Sequence, residues 1–187
     1  MIKKAFFEAA FVVFGVVLAL AANGWREARA DQAEAAAAHL AIQQEIQDNR
    51  DAVAQAVAAH DVRLEAIGNP QDSAPVDMRA FRDGFIRPAS TLSKAAWNSA
   101  SETGALAHME FETVRELGAL YAYQDRYSQQ VTSYSSLIYE TLFEQGYQGI
   151  ISNKAGMISM ISTLRYQEAA LVEVYDGYLM PLTASDN

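Results

Sequence analysis

The residues that could carry chemistry in this 187-residue chain are few. Its histidines are His39, His60 and His108, and it has no cysteine. A metal centre on helices needs ligands one turn apart, as in HxxxH or HExxH, or Glu-x-x-His motifs on facing helices. None occurs: Glu102 precedes His108 by six residues, and His39 and His60 lie 21 apart, about 31 Å along one helix. Without cysteine there is no thiolate ligand and no disulfide. The spacing therefore predicts neither a metal nor a cofactor. Ser128, Ser133, Ser135 and Ser136 sit in a helical pattern without the strand-turn-helix elbow of a nucleophilic serine. Hydroxyls in that setting bond to their own backbone or to water. The glycines of "GYQG", 146–149, lack the following lysine and preceding strand of a phosphate loop. No catalytic residue is nominated.

Tyrosine is the unusual side chain. Tyr121, Tyr123, Tyr127, Tyr134, Tyr139 and Tyr147 fall within one helical stretch, and Tyr166, Tyr175 and Tyr178 follow. A tyrosine offers apolar bulk with a hydroxyl that wants a partner, which suits a packed core and its rim. It also suits a protein interface or a ligand cleft. Tyr123 and Tyr139 stand off the main apolar stripe and are the candidates for a protein interface.

The N-terminal run "FFEAAFVVFGVVLALAANGW", 6–25, reads differently. Between Ala5 and Ala22 the one charged residue is Glu8, and these 18 residues make about 27 Å of helix, near the thickness of bilayer hydrocarbon. Lys3 and Lys4 precede the run, and Trp25 follows where an interfacial aromatic sits. Ala19-Leu20-Ala21 fits a signal-peptide cleavage pattern. Glu8 and the unbroken helical pattern that follows argue for an anchor instead. Glu8, Val12, Gly15, Ala19, Ala22 and Arg26 recur at steps of four and three, so they share one face. Gly15-x-x-x-Ala19 permits a second helix to approach closely in lipid, with Glu8 as a polar contact. The alternative is that Glu8 reaches the interface or pairs with Lys4. The face Glu8, Val12, Gly15, Ala19, Ala22, Trp25 and Arg26 is thus the candidate helix-packing and membrane surface. The positive-inside bias is slight and favours a cytoplasmic N-terminus with the remainder periplasmic.

The pattern Glu8, Val12, Gly15, Val16, Leu18-Ala19-Leu20, Asn23 and Trp25-Arg26-Glu27 resembles the start of a broad set of uncharacterised bacterial single-span membrane proteins. In these a "GxxLAL..N.W.E" segment leads into a long helix. The resemblance covers the first 35 to 50 residues. It implies a bacterial membrane-anchored helical protein and no activity.

Stepping along the chain, no proline occurs before residue 70, so one helix is expected from the anchor (1–25) through a stalk (26–67). Ile42, Ile46, Val53, Val57, Leu64 and Ile67 form its buried stripe; His39, Asn49 and His60 fall on or beside it, where a polar residue sets register or, the expectation favoured here, sits at the boundary with its tip in water. "GNPQDSAP", 68–75, breaks the pattern and opens the remaining domain (68–187). A short helix is expected at 77–87. A second, capped by Ser90 or Thr91, would carry Leu92, Ala96 and Trp97 and end at Gly104. A long helix over 109–145 would bury Leu117, Leu120, Tyr121, Tyr127, Val131, Tyr134, Ile138 and Leu142. The last, over 152–179, would bury Met157, Ile161, Leu164, Leu171, Tyr175 and Tyr178, with Pro181 beyond its end. Nothing alternates at period two for long. The expected fold is all-α: a transmembrane helix continuing into an antiparallel helical bundle of three long helices and a broken shorter one.

Net charge is −9, and beyond the first 25 residues 12 basic groups face 22 acidic ones. No basic patch offsets this, which speaks against nucleic acid as a partner. The partners expected are the lipid bilayer and other membrane-protein subunits, or a second copy of the chain. The function expected is non-catalytic: an accessory or scaffold subunit, or a self-assembling stalk, of a bacterial inner-membrane complex. The alternatives are a periplasmic sensory or ligand-binding bundle acting through a partner and, behind it, an enzyme with dispersed site residues.

Overall fold

A computed structural model describes residues 2–68 and 91–184, with side chains of residues 2–10, 151 and 181–184 left out of that description. The described residues form helices joined by short turns: α1 (Ile2–Ile67), α2 (Ala95–Thr103), a 3-10 turn (Ala105–His108), α3 (Phe111–Ser152) and α4 (Lys154–Ala184). The predicted 77–87 helix and Ser90 lie outside the described residues.

With no proline or left-handed residue to interrupt it, α1 runs 66 residues until Gly68 adopts φ 71°. Its two parts differ. Every residue from Phe11 to Ala30 is exposed. From Ala35 onward most of the expected stripe goes inside, with Ile42, Ile46 and Val53 fully buried and Ile67 nearly so, while Val57 and Leu64 are half-buried. The window in the first part is long and apolar enough to cross a membrane, with mean hydropathy 1.3 and none of it buried. Length and composition of this kind also fit a signal sequence.

The second part of α1 packs along α4, in opposite directions. Arg50 pairs with Asp176 at 2.9 Å, and Asp61 pairs with Arg165, so rising numbers on one helix meet falling numbers on the other. Helix α3 runs the same way as α1: Tyr121 reaches Glu45, Gln124 reaches Asn49, and Ile138 packs near Ile67. The main core joins Ile42, Ile46 and Val53 to Leu117, Leu120, Tyr121, Leu171 and Tyr175, with Trp97 stacked on Tyr121 at 5.1 Å between centroids. A smaller core at the far end joins Ile67, Ile150, Met157 and Ile161.

Three boundaries depart from the sequence expectation. Helix α2 begins at Ala95 rather than before Leu92. Ser93 explains this, because its N–H donates to Asn49 Oδ1 (2.8 Å) and its carbonyl accepts from Asn49 Nδ2 and Gln124 Nε2. A backbone so engaged across two helices is not free to make helical bonds. Helix α3 continues past 145, but with a break at Gly146 (φ 63°, ψ −169°), a conformation that only glycine takes without strain. The chain then reverses through Asn153, whose Oδ1 accepts from the N–H of Gly156 at 3.0 Å and so caps α4. Helix α4 runs through Pro181 to Ala184. Proline withholds its bond from the carbonyl four residues back, here Gly177, which is exposed and so is open to water.

Candidate functional site

The proposed membrane face lies on one exposed side of α1. Val12 and Trp25 are 68% and 63% exposed, and a Cβ placed on Gly15 would meet nothing within 4 Å. Ala19, Ala22 and Arg26 are exposed with them, and Arg29 stacks over Trp25 at 5.3 Å. The side chain of Glu8 lies outside the described residues. Phe11, Val12, Phe14 and Leu18 are uncovered together, apolar surface of the kind that a membrane span, a signal sequence or a protein contact presents. Tyr123 and Tyr139 do not form one patch. They lie 16 residues apart on α3, about 24 Å. Tyr139 is exposed, whereas Tyr123 is half-buried beneath the Arg126 guanidinium at 5.3 Å.

The helices also enclose two polar clusters that spacing alone did not reveal. In the first, buried Glu45 accepts the Tyr121 hydroxyl on Oε1 (2.6 Å) and the Ser93 hydroxyl (2.6 Å) and Ala96 N–H (3.0 Å) on Oε2. Helix α2 has Lys94 as its N-cap, a side chain that offers no acceptor, so Glu45 of α1 supplies the acceptor and the negative charge that its first turn requires. Asn49 and Gln124, 5% and 1% exposed, clamp Ser93, and Tyr175 donates to Gln124 Oε1 at 2.8 Å. Burial pushes the Glu45 carboxyl up, but the bonds from Ser93, Tyr121 and the backbone of Ala96 and Trp97 together outweigh it and hold it below its usual value. Burial, followed by the bond to Glu45, pushes the Tyr121 hydroxyl well above its usual range.

The second cluster is deeper along α1. Glu168, fully buried, accepts the Tyr127 hydroxyl at 2.6 Å on Oε1. Its Oε2 faces His60 Nε2 at 3.1 Å without the alignment of a hydrogen bond. Arg63 donates to His60 Nδ1 at 3.0 Å. An accepting Nδ1 leaves the ring proton on Nε2, towards the carboxylate. Burial lowers the pKa of Arg63 and the nearby Glu168 charge opposes that fall. Asn49 and His60 thus correct the expectation that such residues keep their tips in water: a partner on another helix lets each be buried.

A histidine oriented by a carboxylate is the pairing of a general base. Here it is sealed between helices, with His60 3% and Glu168 0% exposed, and among the described residues the hydroxyl bonded to Glu168 is that of Tyr127. The expected serines behave as helical hydroxyls: Ser128, Ser133 and Ser136 bond to the carbonyls four residues back. Among the described residues, no three histidine, aspartate or glutamate side chains converge as metal ligands. Comparison with protein families, characterised proteins and solved structures finds no match to this chain.

Proposed function

We propose that the protein is a non-catalytic, membrane-anchored helical bundle that serves as an accessory or scaffold subunit, or as a self-assembling component, of a bacterial inner-membrane complex. The observation that carries this reading is the division of α1. One uninterrupted helix presents bare apolar surface over its first part and supplies the core of the folded domain over its second. A helix without a hinge couples the membrane segment rigidly to the domain, which a scaffold requires and a cleavable leader does not. The interior clusters support the same reading, because most of their hydrogen bonds run between α1, α2, α3 and α4.

The assembly face is Gly15 with Ala19, where small side chains let a second helix come close. The test is the mass of the full-length protein in mild detergent beside the Gly15→Leu, Ala19→Leu variant. A defined oligomer or a stoichiometric foreign subunit is expected for the natural chain and a monomer for the variant. A monomer in both reduces α1 to an anchor.

The orientation that goes with this function has the N-terminus in the cytoplasm and the folded domain in the periplasm. The absence of cysteine makes a direct check simple. Ser133, exposed on α3, is replaced by cysteine, and intact cells with a permeabilised outer membrane are treated with an impermeant maleimide. Labelling before lysis is expected, and labelling only after lysis reverses the orientation.

A further inference from the structure

A cleft of about 600 Å³ opens between the first half of α3 and the last turns of α4, with α1 at its floor. Leu120, Val174 and the ring of Tyr178 give it an apolar surface. On the floor His39 Nε2 lies 2.9 Å from the Tyr178 hydroxyl and 3.4 Å from Gln43 Nε2. The amide nitrogen can only donate, so His39 Nε2 accepts, Tyr178 donates to it, and the Tyr178 oxygen keeps a lone pair for a further contact. Burial, with Glu116 nearby, pushes the Tyr178 hydroxyl up to about 12, so it stays protonated.

The charges on the walls are unequal. Arg115 is held by Glu112. Arg126 has no carboxylate partner among the described residues and lies instead over Tyr123. It leaves a positive group without a carboxylate partner at one end of an apolar cleft. Glu116, ten residues back and about 15 Å along the helix, opposes a second negative charge at the other end.

We propose that this cleft is a binding site for a small monoanionic organic molecule. Its carboxylate or sulfonate pairs with Arg126 beside Tyr123, and its aromatic or aliphatic body lies over Leu120, Val174 and Tyr178. A volume of this size holds a ligand of some tens of atoms, and the guanidinium supplies the paired donors that such an anion takes. The site is independent of the membrane face on α1.

Gly177 provides a clean test. It borders the cleft, and a Cβ there meets no atom within 4 Å. Gly177→Leu therefore fills the cleft while favouring the helix over glycine. Full-length protein in detergent is titrated calorimetrically with 2-naphthoate, with 2-naphthylmethanol as the neutral comparator and detergent-only heats subtracted. Ala58→Leu, on the exposed side of α1, is the control. Saturable binding of naphthoate is expected in the natural chain and in the control. It should be lost in Gly177→Leu and weakened about tenfold or more in Arg126→Gln, by the loss of one charged contact, with each variant retaining its helical circular dichroism. Absence of saturable binding to the natural chain overturns the proposal. So does unchanged binding by Gly177→Leu, equal loss in Ala58→Leu, or equal affinity for the neutral alcohol.

Discussion

Replacing Glu168 with alanine is expected to destabilise the folded domain by about 3 kcal/mol, the cost of taking a buried carboxylate away from the groups that face it. The size follows from what is left behind. Tyr127 loses the acceptor of its 2.6 Å bond, and His60 Nε2 loses the carboxylate that lies 3.1 Å from it. Arg63 loses the negative charge that offsets its own burial. Denaturant unfolding of the full chain in detergent, followed by circular dichroism, measures the change. A loss under about 1 kcal/mol would place Glu168 among solvated surface pairs, contrary to its burial. A second comparison separates stabilisation from the avoidance of damage. The triple variant Glu168→Met, His60→Leu, Tyr127→Phe removes the carboxylate with the imidazole and hydroxyl that face it and should recover part of the loss, because well-packed apolar side chains often match buried polar groups. Surplus stability in the triple variant would mean that the polar cluster serves to select helix register and not to raise stability.

The sequence makes some of this visible and hides the rest for physical reasons. The apolar stripes were legible because burial on a helix repeats every three or four residues. Ile42, Ile46 and Val53 of α1, Leu117, Leu120 and Tyr121 of α3, and Leu171 and Tyr175 of α4 all go inside as their spacing demands. The polar clusters were hidden because a polar residue on a stripe can be at its margin or in its centre. Which one holds for Asn49 depends on Ser93, 44 residues later, and on Gln124, 75 later. Periodicity carries no information about such long-range partners. Glu45 did carry a local hint, since it lies beside Ile42, Ile46 and Asn49 on the inward side of α1. The start of α2 was missed for the same reason: its cap is supplied by another helix. The exposed apolar surface over the first part of α1 was legible from composition alone.

Glu45→Ala is the second substitution with a large expected effect, about 3 kcal/mol, from the loss of charge-assisted bonds to buried groups. It differs from Glu168→Ala in being localised. Asn49 still holds Ser93 through its backbone, and Ser93 Oγ still accepts from Ala95 N–H, so the chain near 93 stays docked while the N–H of Ala96 loses its acceptor. Amide hydrogen exchange at Ala96 and Trp97 should therefore accelerate more than exchange in α4. Uniform acceleration would show that Glu45 supports the whole domain and not the α2 terminus. Acid provides an independent check on the same carboxylate. Its folded pKa lies below the unfolded value of 4.5, so its contribution is present above pH 4.5 and is lost as pH falls through the folded value. His39 acts earlier in the titration. Burial lowers its pKa below 6.5, so the unfolded chain takes up a proton first and stability declines as pH falls below 6.5. Thermal unfolding between pH 7 and pH 3 should show both declines. His39→Gln should reduce only the upper one and Glu45→Ala only the lower one. A lower decline that survives in Glu45→Ala would assign acid sensitivity to another carboxylate and remove Glu45 as its cause.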